Sequence, residues 1–462
     1  MDETRELLEQ TAAMAADFLA SLDERPVFPT DDADTLRAAL GGPLPDEPSD
    51  PRDVIAQLRA GAEPGVVAIP SGRYFGFVIG GSVPAALAAD WLTSTWDQNA
   101  GLYVAGPSAA VVEEITGAWL RELLRLPAHA SFAFVTGCQM ANFTALAAAR
   151  WHVLDRAGWD VNASGLTAAP PVRVLAGGKV HVTVTRALRL LGLGEPELVA
   201  ADDQGRMVAD ALREALAKAD GPTIVCAQAG EVNTGAFDPL PEIAAAAHEA
   251  GAWLHVDGAF GLWAAASPAL EHLVAGVDQA DSWATDAHKW LNVPYDCGVV
   301  FCAHPKAHRA AIGVQAEYLI HGDEGTVRDQ MDWTPEFSRR ARGFTVYAAF
   351  RSLGRRGIAE IVERTCANAR RFAEELARLP GFELINDVVL NQVLFRFESD
   401  ERTDEVIRGV QESGEAWLSG TVWDGRRAIR ISVSNWRTSD EDVARTLAAF
   451  ESAVYAGRAP VR

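Results

Sequence analysis

The chain reads as an α/β protein: a large domain on a mostly parallel sheet, followed by a small C-terminal α+β domain. Three observations predict this. From residue 66 to about 303, short apolar runs of strand character alternate with stretches of helical periodicity. After a helical stretch at 343–379, apolar runs at 382–385, 392–397 and 428–434 alternate with helical ones at 403–413 and 440–455. The length, 462 residues of which 48% are hydrophobic, suits one large core and one satellite. The expected division is a helical arm over 1–65, the large domain over 66–342 and the small domain over 343–462.

In chain order, the arm comes first. Residues 6–22 carry apolar side chains at helical spacing, and Pro26, Pro29, Pro43, Pro45, Pro48 and Pro51 then interrupt the chain. A segment so broken hardly folds alone, so it is expected to pack on another subunit or across the main domain. In the large domain the expected helices are 110–126, 139–159, 184–191, 212–219 and 241–250. The expected buried strands are 132–135, 172–176, 197–200, 223–227 and 252–256. Residues 252–302 read as strand, loop, strand, lysine, strand. No internal repeat or low-complexity tract interrupts this order.

The net charge of −22 argues against nucleic acid or an anionic membrane surface as partner, because both reward basic patches. The five cysteines, Cys138, Cys226, Cys297, Cys302 and Cys366, follow no disulfide spacing, and three of them fall in apolar strand-like runs. A reduced, cytoplasmic setting is expected. Residues 1–10 are acidic and lack the basic start and apolar core of a signal peptide. The most tempting apolar run, 83–92, is cut by Asp90 and is too short to cross a bilayer.

The chemistry gathers at 252–302. Asp257 ends one apolar run among the small Gly258, Ala259 and Gly261, and Lys289 follows Asp286, Ala287 and His288. In a parallel sheet, ligands sit outside the carboxyl ends of the strands, so acid and lysine face one cavity. That pair suits pyridoxal phosphate, whose aldehyde needs a lysine imine and whose pyridine nitrogen needs a carboxylate. A lysine among small residues backed by Trp290 is expected to be desolvated, with a lowered pKa. Either residue alone reads as a turn acid or a surface lysine; together they point to the cofactor.

Its phosphate needs a cradle, and the run 132–135 leads through Thr136 and Gly137 into a helix at Cys138 and Gln139, a common turn that also presents N–H groups to an anion. His181, after Gly177 and Gly178, sits at another strand end, where a neutral imidazole can stack on a ring and pass a proton. Gly192-Leu193-Gly194 lacks a third glycine and is discounted. His304 and His308 have metal spacing, yet with Pro305 and Lys306 between them and no nearby carboxylate they read as a solvated helix start. No zinc motif and no serine nucleophile elbow exists, and no metal is expected.

The chain resembles the group II pyridoxal-phosphate amino-acid decarboxylases of fold type I, the family of the aromatic-amino-acid, histidine and glutamate decarboxylases. The resemblance runs from Arg73-Tyr74-Phe75-Gly76 to Arg437-Thr438. It is carried by Gly106-Pro107-Ser108 with Glu113 and Trp119-Leu120, the loop 136–142, His181, and Asn233-Thr234-Gly235-Ala236-Phe237-Asp238-Pro239. It continues in His255-Val256-Asp257-Gly258-Ala259-Phe260, Asp286-Ala287-His288-Lys289-Trp290, Ser338-Arg339-Arg340-Ala341-Arg342 and Arg430-Ile431-Ser432-Val433-Ser434-Asn435.

The resemblance implies that Lys289 forms the imine, Asp257 pairs with the ring nitrogen and His181 stacks on the ring. It implies phosphate contacts from Gly137, Cys138 and Gln139 with help from Asp286 and His288, and it counts Thr234 and Ala259 among the cofactor contacts. Arg430 falls where the glutamate-decarboxylase branch holds the substrate carboxylate. Trp91, Trp96 and Tyr103 lie in the segment that lines the substrate pocket, which tilts the reading toward an aromatic or bulky amino acid, although core packing explains tryptophan equally well. The family works as a homodimer with active sites at the interface.

Three positions depart from the family pattern. Gln139 and Met140 replace a Ser or Thr followed by Glu. Glu231 stands where Asn is common. Gln330 takes the place of the mobile-loop tyrosine that protonates the carbanion in aromatic-amino-acid decarboxylases. The expected reaction is decarboxylation of an L-amino acid to the amine. Oxidative deamination to an aldehyde, a carbon–carbon lyase reaction and, last, an inactive binding paralogue are the alternatives.

Overall fold

A computed structural model of the protein describes residues 3–218, 220–314 and 327–456. Ala219, the expected end of one helix, and the outermost residues of the arm and the small domain lie outside the described residues. The large domain is built on seven strands: β1 (Ser131–Val135), β2 (Arg173–Gly177), β3 (Glu197–Val199), β4 (Thr223–Gln228), β5 (Trp253–Asp257), β6 (Ser282–Asp286) and β7 (Gly298–Cys302). They lie in the order β1-β7-β6-β5-β4-β2-β3. β3, β2, β4, β5 and β6 pair in parallel, and β7 runs antiparallel to both β6 and β1. The central strands are buried along their whole length, as strands covered by helices on both faces must be.

The reversal at β7 has a local cause. β6 and β7 are joined by the segment that carries Lys289, which leaves the carboxyl edge and returns to it, so the two strands form a hairpin rather than a crossover. Ala287 and His288 both donate their N–H to the Cys297 carbonyl, which closes the base of that excursion. β1 then pairs with β7 in the register Val135↔Gly298. A Cβ at Gly298 would lie 2.4 Å from the Gly137 carbonyl carbon, so only glycine lets the β1 turn settle on the start of β7.

The second sheet has the order β10-β11-β9-β8, from β8 (Glu383–Leu384), β9 (Gln392–Arg396), β10 (Ser419–Trp423) and β11 (Arg426–Ser432). Its core holds Phe372, Phe395, Phe397, Val443 and Phe450. β10 escaped the sequence reading because Gly420 and two outward residues break its apolar run; the Asp424-Gly425 turn, with both residues at positive φ, is the hairpin signal that marks it. The helix Gly343–Leu376 serves both cores: Val346, Ala349, Ile361 and Val362 face the large one, and Phe372 and Leu376 the small one. It breaks at Gly354, where φ is 59°.

The arm forms helices Glu3–Ala20, Ala33–Leu40 and Pro51–Ala62, of which the first two bury no residue. It is tied down at its root. The buried Arg73 guanidinium donates to the carbonyls of Leu22, Asp23 and Arg25, and Val27 donates to Gly414 of the small domain. Two expectations fail at the histidine pair. His308 is buried, bonded to Ser131 Oγ at 2.9 Å and to the Trp333 carbonyl at 2.9 Å, because the helix Pro305–Ile312 packs on the helix Cys138–Arg156. His304 does have a carboxylate, Asp281 Oδ1 at 2.7 Å. All five cysteines are buried and free, and among the described residues no helix is long and apolar enough to cross a membrane.

Candidate active site

The carboxyl edge of the sheet brings together most of the residues singled out from the sequence. Asp257 and Asp286 are the last residues of the neighbouring strands β5 and β6, and Lys289 follows one turn later. Lys289 Nζ lies 3.3 Å from Asp286 Oδ2, so Asp286, and not Asp257, is its ion-pair partner. This corrects the expected direction of its pKa. Burial alone would lower it, but the carboxylates of Asp286 and Asp257 outweigh that, and the ammonium is held above its ordinary value. Trp290, as expected, is buried behind the lysine, its indole N–H bonded to Thr365 Oγ1 at 2.9 Å.

Asp257 is surrounded by donors. Cys138 Sγ lies 3.4 Å and the Ala259 N–H 3.1 Å from Oδ1, and Asn142 Nδ2 lies 3.1 Å from Oδ2. The Ala259 carbonyl accepts from the Asp286 N–H at 2.9 Å, which fixes the ends of β5 and β6 to each other. Burial, and then the negative charges of Asp257 and Asp286, push the Cys138 thiol far up, so sulfur donates as a neutral S–H.

The β1 turn lies over this pair. Gly137 precedes the helix Cys138–Arg156, and its backbone is so close to the lysine segment that a Cβ there would sit 3.2 Å from His288 Cε1. The Cys138 N–H is bonded to Asp286 Oδ1 at 2.6 Å, and Gln139 Nε2 reaches the Thr183 carbonyl at 3.1 Å. His288 accepts the Cys297 N–H on Nδ1 at 3.1 Å, and burial lowers its pKa. Met140 packs half-buried against the cluster of Ala133, Val135, Ala141 and Val300.

His181 caps the helix Val182–Leu190 beyond β2, and its own N–H donates to Gln228 Oε1 at 3.1 Å. Burial lowers its pKa, helped by Lys289 and Arg430 and opposed by Asp257, so the ring is neutral. Arg430, on β11, donates to the Val232 carbonyl at 3.1 Å and lies close enough to Glu231 and Tyr74 for their charges to act on it, while its Nε has no partner among the described residues.

Other residues stand apart from the lysine. The Thr234 hydroxyl donates to the Gln204 carbonyl at 2.7 Å, and its carbonyl accepts from Asn386 Nδ2. Glu231 holds that loop, accepting from the N–H groups of Asn233 and Thr234 at 2.7 Å, so its charge organises a turn. Trp96 is 48% exposed, with its ring edge-on to Phe344, and the Tyr103 N–H donates to Asp329 Oδ1 at 2.8 Å. Gln330 lies in a 3-10 turn that is tied to the 99–103 segment through Met331; it is fully buried, and neither atom of its amide has a partner among the described residues. Residues that sequence reasoning gave no role, the buried Asn142, His255 and Ser282 with the half-buried Thr183, form a polar row behind Asp257; two of them lie inside the quoted motifs.

Residues 34–398 match the family model described as the pyridoxal-dependent decarboxylase conserved domain. The chain is 28% identical over 460 residues to an aromatic-L-amino-acid decarboxylase of Bacillus atrophaeus, covering 96% of this chain and 93% of that one. It is 27% identical over 466 residues to a 4-hydroxyphenylacetaldehyde synthase of Rhodiola rosea, covering 94% and 92%. Among solved structures, that of Oryza sativa TDC with PLP and tryptamine superposes with a TM-score of 0.92 at 25% identity, covering 99% of this chain and 98% of that one.

Proposed function

The chain belongs to the pyridoxal-dependent decarboxylase family, and from that premise we propose that it removes carbon dioxide from an L-amino acid with an aromatic side chain and releases the amine. It is a carboxy-lyase with pyridoxal 5′-phosphate as cofactor. The residues fit that group: a buried lysine, a carboxylate ringed by donors at the neighbouring strand end, and a strand-to-helix turn whose backbone lies against His288 and Asp286. When bound, the cofactor supplies a carbonyl that condenses with amines and a ring that takes up the electron pair carbon dioxide leaves behind.

The protein's own groups then divide the work. Lys289 holds the cofactor, with Asp286 keeping its amine in place. Asp257 meets the ring nitrogen. Gly137, Gln139 and His288 hold the phosphate, and Arg430 takes the substrate carboxylate. His181, neutral, covers the ring and handles the proton that replaces the carboxyl group. The single observation that carries this reading is the convergence of Lys289, Asp286 and Asp257 with the Cys138 turn on adjacent strand ends. Borohydride reduction and peptide mapping test it: attachment at Lys179, Lys218 or Lys306 instead of Lys289 would sink it. A product screen across amino acids, with carbon dioxide, amine, ammonia and peroxide all measured, fixes the substrate.

Gln330 supports a second reading. It stands where the family's loop carries a tyrosine, and an amide has no proton to give at neutral pH, so oxygen competes for the reacting centre and the product becomes an aldehyde. Comparing turnover in air and under argon separates the two. Amine equal to carbon dioxide without oxygen supports decarboxylation, and peroxide that falls in Gln330→Tyr supports the aldehyde.

We propose further that the working form is a homodimer in the cytoplasm. The arm helices leave Leu8, Leu40, Val54 and Leu58 exposed, and the helix Pro84–Trp96 exposes Trp91, Leu92 and Trp96, more apolar surface than a monomer retains. Five free buried thiols suit a reducing compartment. Sedimentation of the full chain, and of one lacking residues 1–20, tests the dimer.

A further inference from the structure

We propose that Asn142 is the branch point of a one-way hydrogen-bond network that orients the Asp257 carboxylate and fixes the proton position on His181. It rests on the reading that Asp257 meets the ring nitrogen and His181 covers the ring. Trp253, His255 and Asp257 are alternate residues of β5 and so line one face of it; Ser282 stands beside His255 on β6. The helix Cys138–Arg156 crosses that face and lays Asn142 between His255 and Asp257. Asn142, His255 and Ser282 are fully buried.

The chemistry of the two ends fixes every direction between them. An indole N–H can only donate, and Trp253 Nε1 lies 2.9 Å from Ser282 Oγ. A carboxylate can only accept, so Asn142 turns its NH2 to Asp257 Oδ2 at 3.1 Å and is left with its carbonyl toward His255 Nε2 at 2.9 Å. That carbonyl requires a hydrogen on Nε2. Burial drives the His255 pKa down to about 4, so the ring is neutral and Nδ1 is bare, free to accept the Ser282 hydroxyl at 3.0 Å.

The second N–H of Asn142 donates to Thr183 Oγ1 at 3.1 Å, and the Thr183 hydroxyl and N–H both donate to His181 Nδ1, at 2.8 and 3.3 Å. His181 therefore carries its proton on Nε2. Next to this row, the rings of His152 and His304 pack at 5.0 and 4.9 Å on Trp253, near Asp281. Because the indole only donates, no proton passes from that histidine pair to Asp257. The network holds orientations; it does not conduct.

The test begins with nitrogen NMR of the full chain labelled at histidine, with and without pyridoxal 5′-phosphate. Both His255 and His181 should show the Nε2–H tautomer in both states, and an Nδ1–H form at His255 overturns the proposal. Next, His255→Leu frees Asn142 to turn its carbonyl toward Asp257. Cofactor affinity should fall roughly 10-fold, with a changed pH dependence of the bound cofactor's absorbance. His255→Gln, whose amide can donate to Asn142 and accept from Ser282, should recover most of both. If His255→Leu does not fold, Ser282→Ala serves: with Asn142 still dictating the tautomer, His255 should keep its Nε2–H form, and an Nδ1–H form there overturns the proposal. An absorbance profile that moves in Asp257→Ala but not in His255→Leu overturns the network and spares Asp257 its role. One that moves in neither removes both.

Discussion

The floor of the candidate site and its rim are built differently. On the floor, at the ends of β1, β5 and β6, Asp257, Cys138, Asn142 and His255 satisfy one another within a single chain. On the rim, around 96–103 and 327–334, Trp96 is half out in solvent and the amide of Gln330 is buried with no partner among the described residues. The floor is fixed by strand register and by the helix Cys138–Arg156 that crosses it. The rim consists of a helix end, short 3-10 turns and loops, which is where members of one family can differ in what they accept.

The largest effects should come from the floor. Lys289→Ala should lose covalent attachment and turnover altogether, seen as loss of the cofactor's visible band and of product. Asp257→Ala should still hold the cofactor on Lys289 but lose turnover by roughly 10²-fold or more, measured as kcat/KM, because the ring nitrogen loses its charge partner. Near-normal turnover there would show that floor and rim do not divide the chemistry from the selectivity.

Acid should find the floor as well. His255 and His308 are held at about 4 and about 3 against an ordinary 6.5, and burial lowers His181 and His288 too. The unfolded chain takes up protons at these residues below about pH 6.5 that the folded chain refuses, so stability falls as pH drops from there toward 4. His255 alone accounts for up to about 3 kcal/mol. Asp238, raised to about 6 by burial, and Glu231, also raised by burial, work in the opposite sense. Denaturant midpoints from pH 7 to 4.5 should therefore decline, and less steeply in His255→Gln.

The smallest effect should lie on the rim. Gln330→Leu removes an unpartnered buried amide and should leave stability unchanged or raise it by about 1 kcal/mol, read from the denaturant midpoint. A clear loss would mean that the working assembly supplies Gln330 with a partner, and that the rim is as finished as the floor.

Legibility in the sequence follows the same division. Lys289, Asp257 and His181 could be read because sheet topology alone sends strand ends to one edge, and a short motif surrounds each. The alternation of helix and strand gave the large sheet for the same reason. Asp286 as the lysine's ion partner, and Asn142 and His255 as supports, depend on which strands become neighbours and on how a helix crosses them, which no local pattern contains. His308 reads as polar and is buried because its two ring nitrogens find Ser131 and Trp333 far along the chain. Gln330 was placed by alignment with a loop position, and nothing in its neighbours announces its burial.

The contact between Gly298 and the Gly137 backbone carries a lesson for redesign. Side chains around the entrance can be exchanged to widen or narrow the cavity, but its depth is set where two stretches of main chain touch, with no side chain between them to trim. A library aimed at larger substrates gains nothing by varying that floor position. Gly298→Ala would part β1 from β7 and shift the Gly137 turn relative to the lysine, so room for a new substrate has to be made at the mouth.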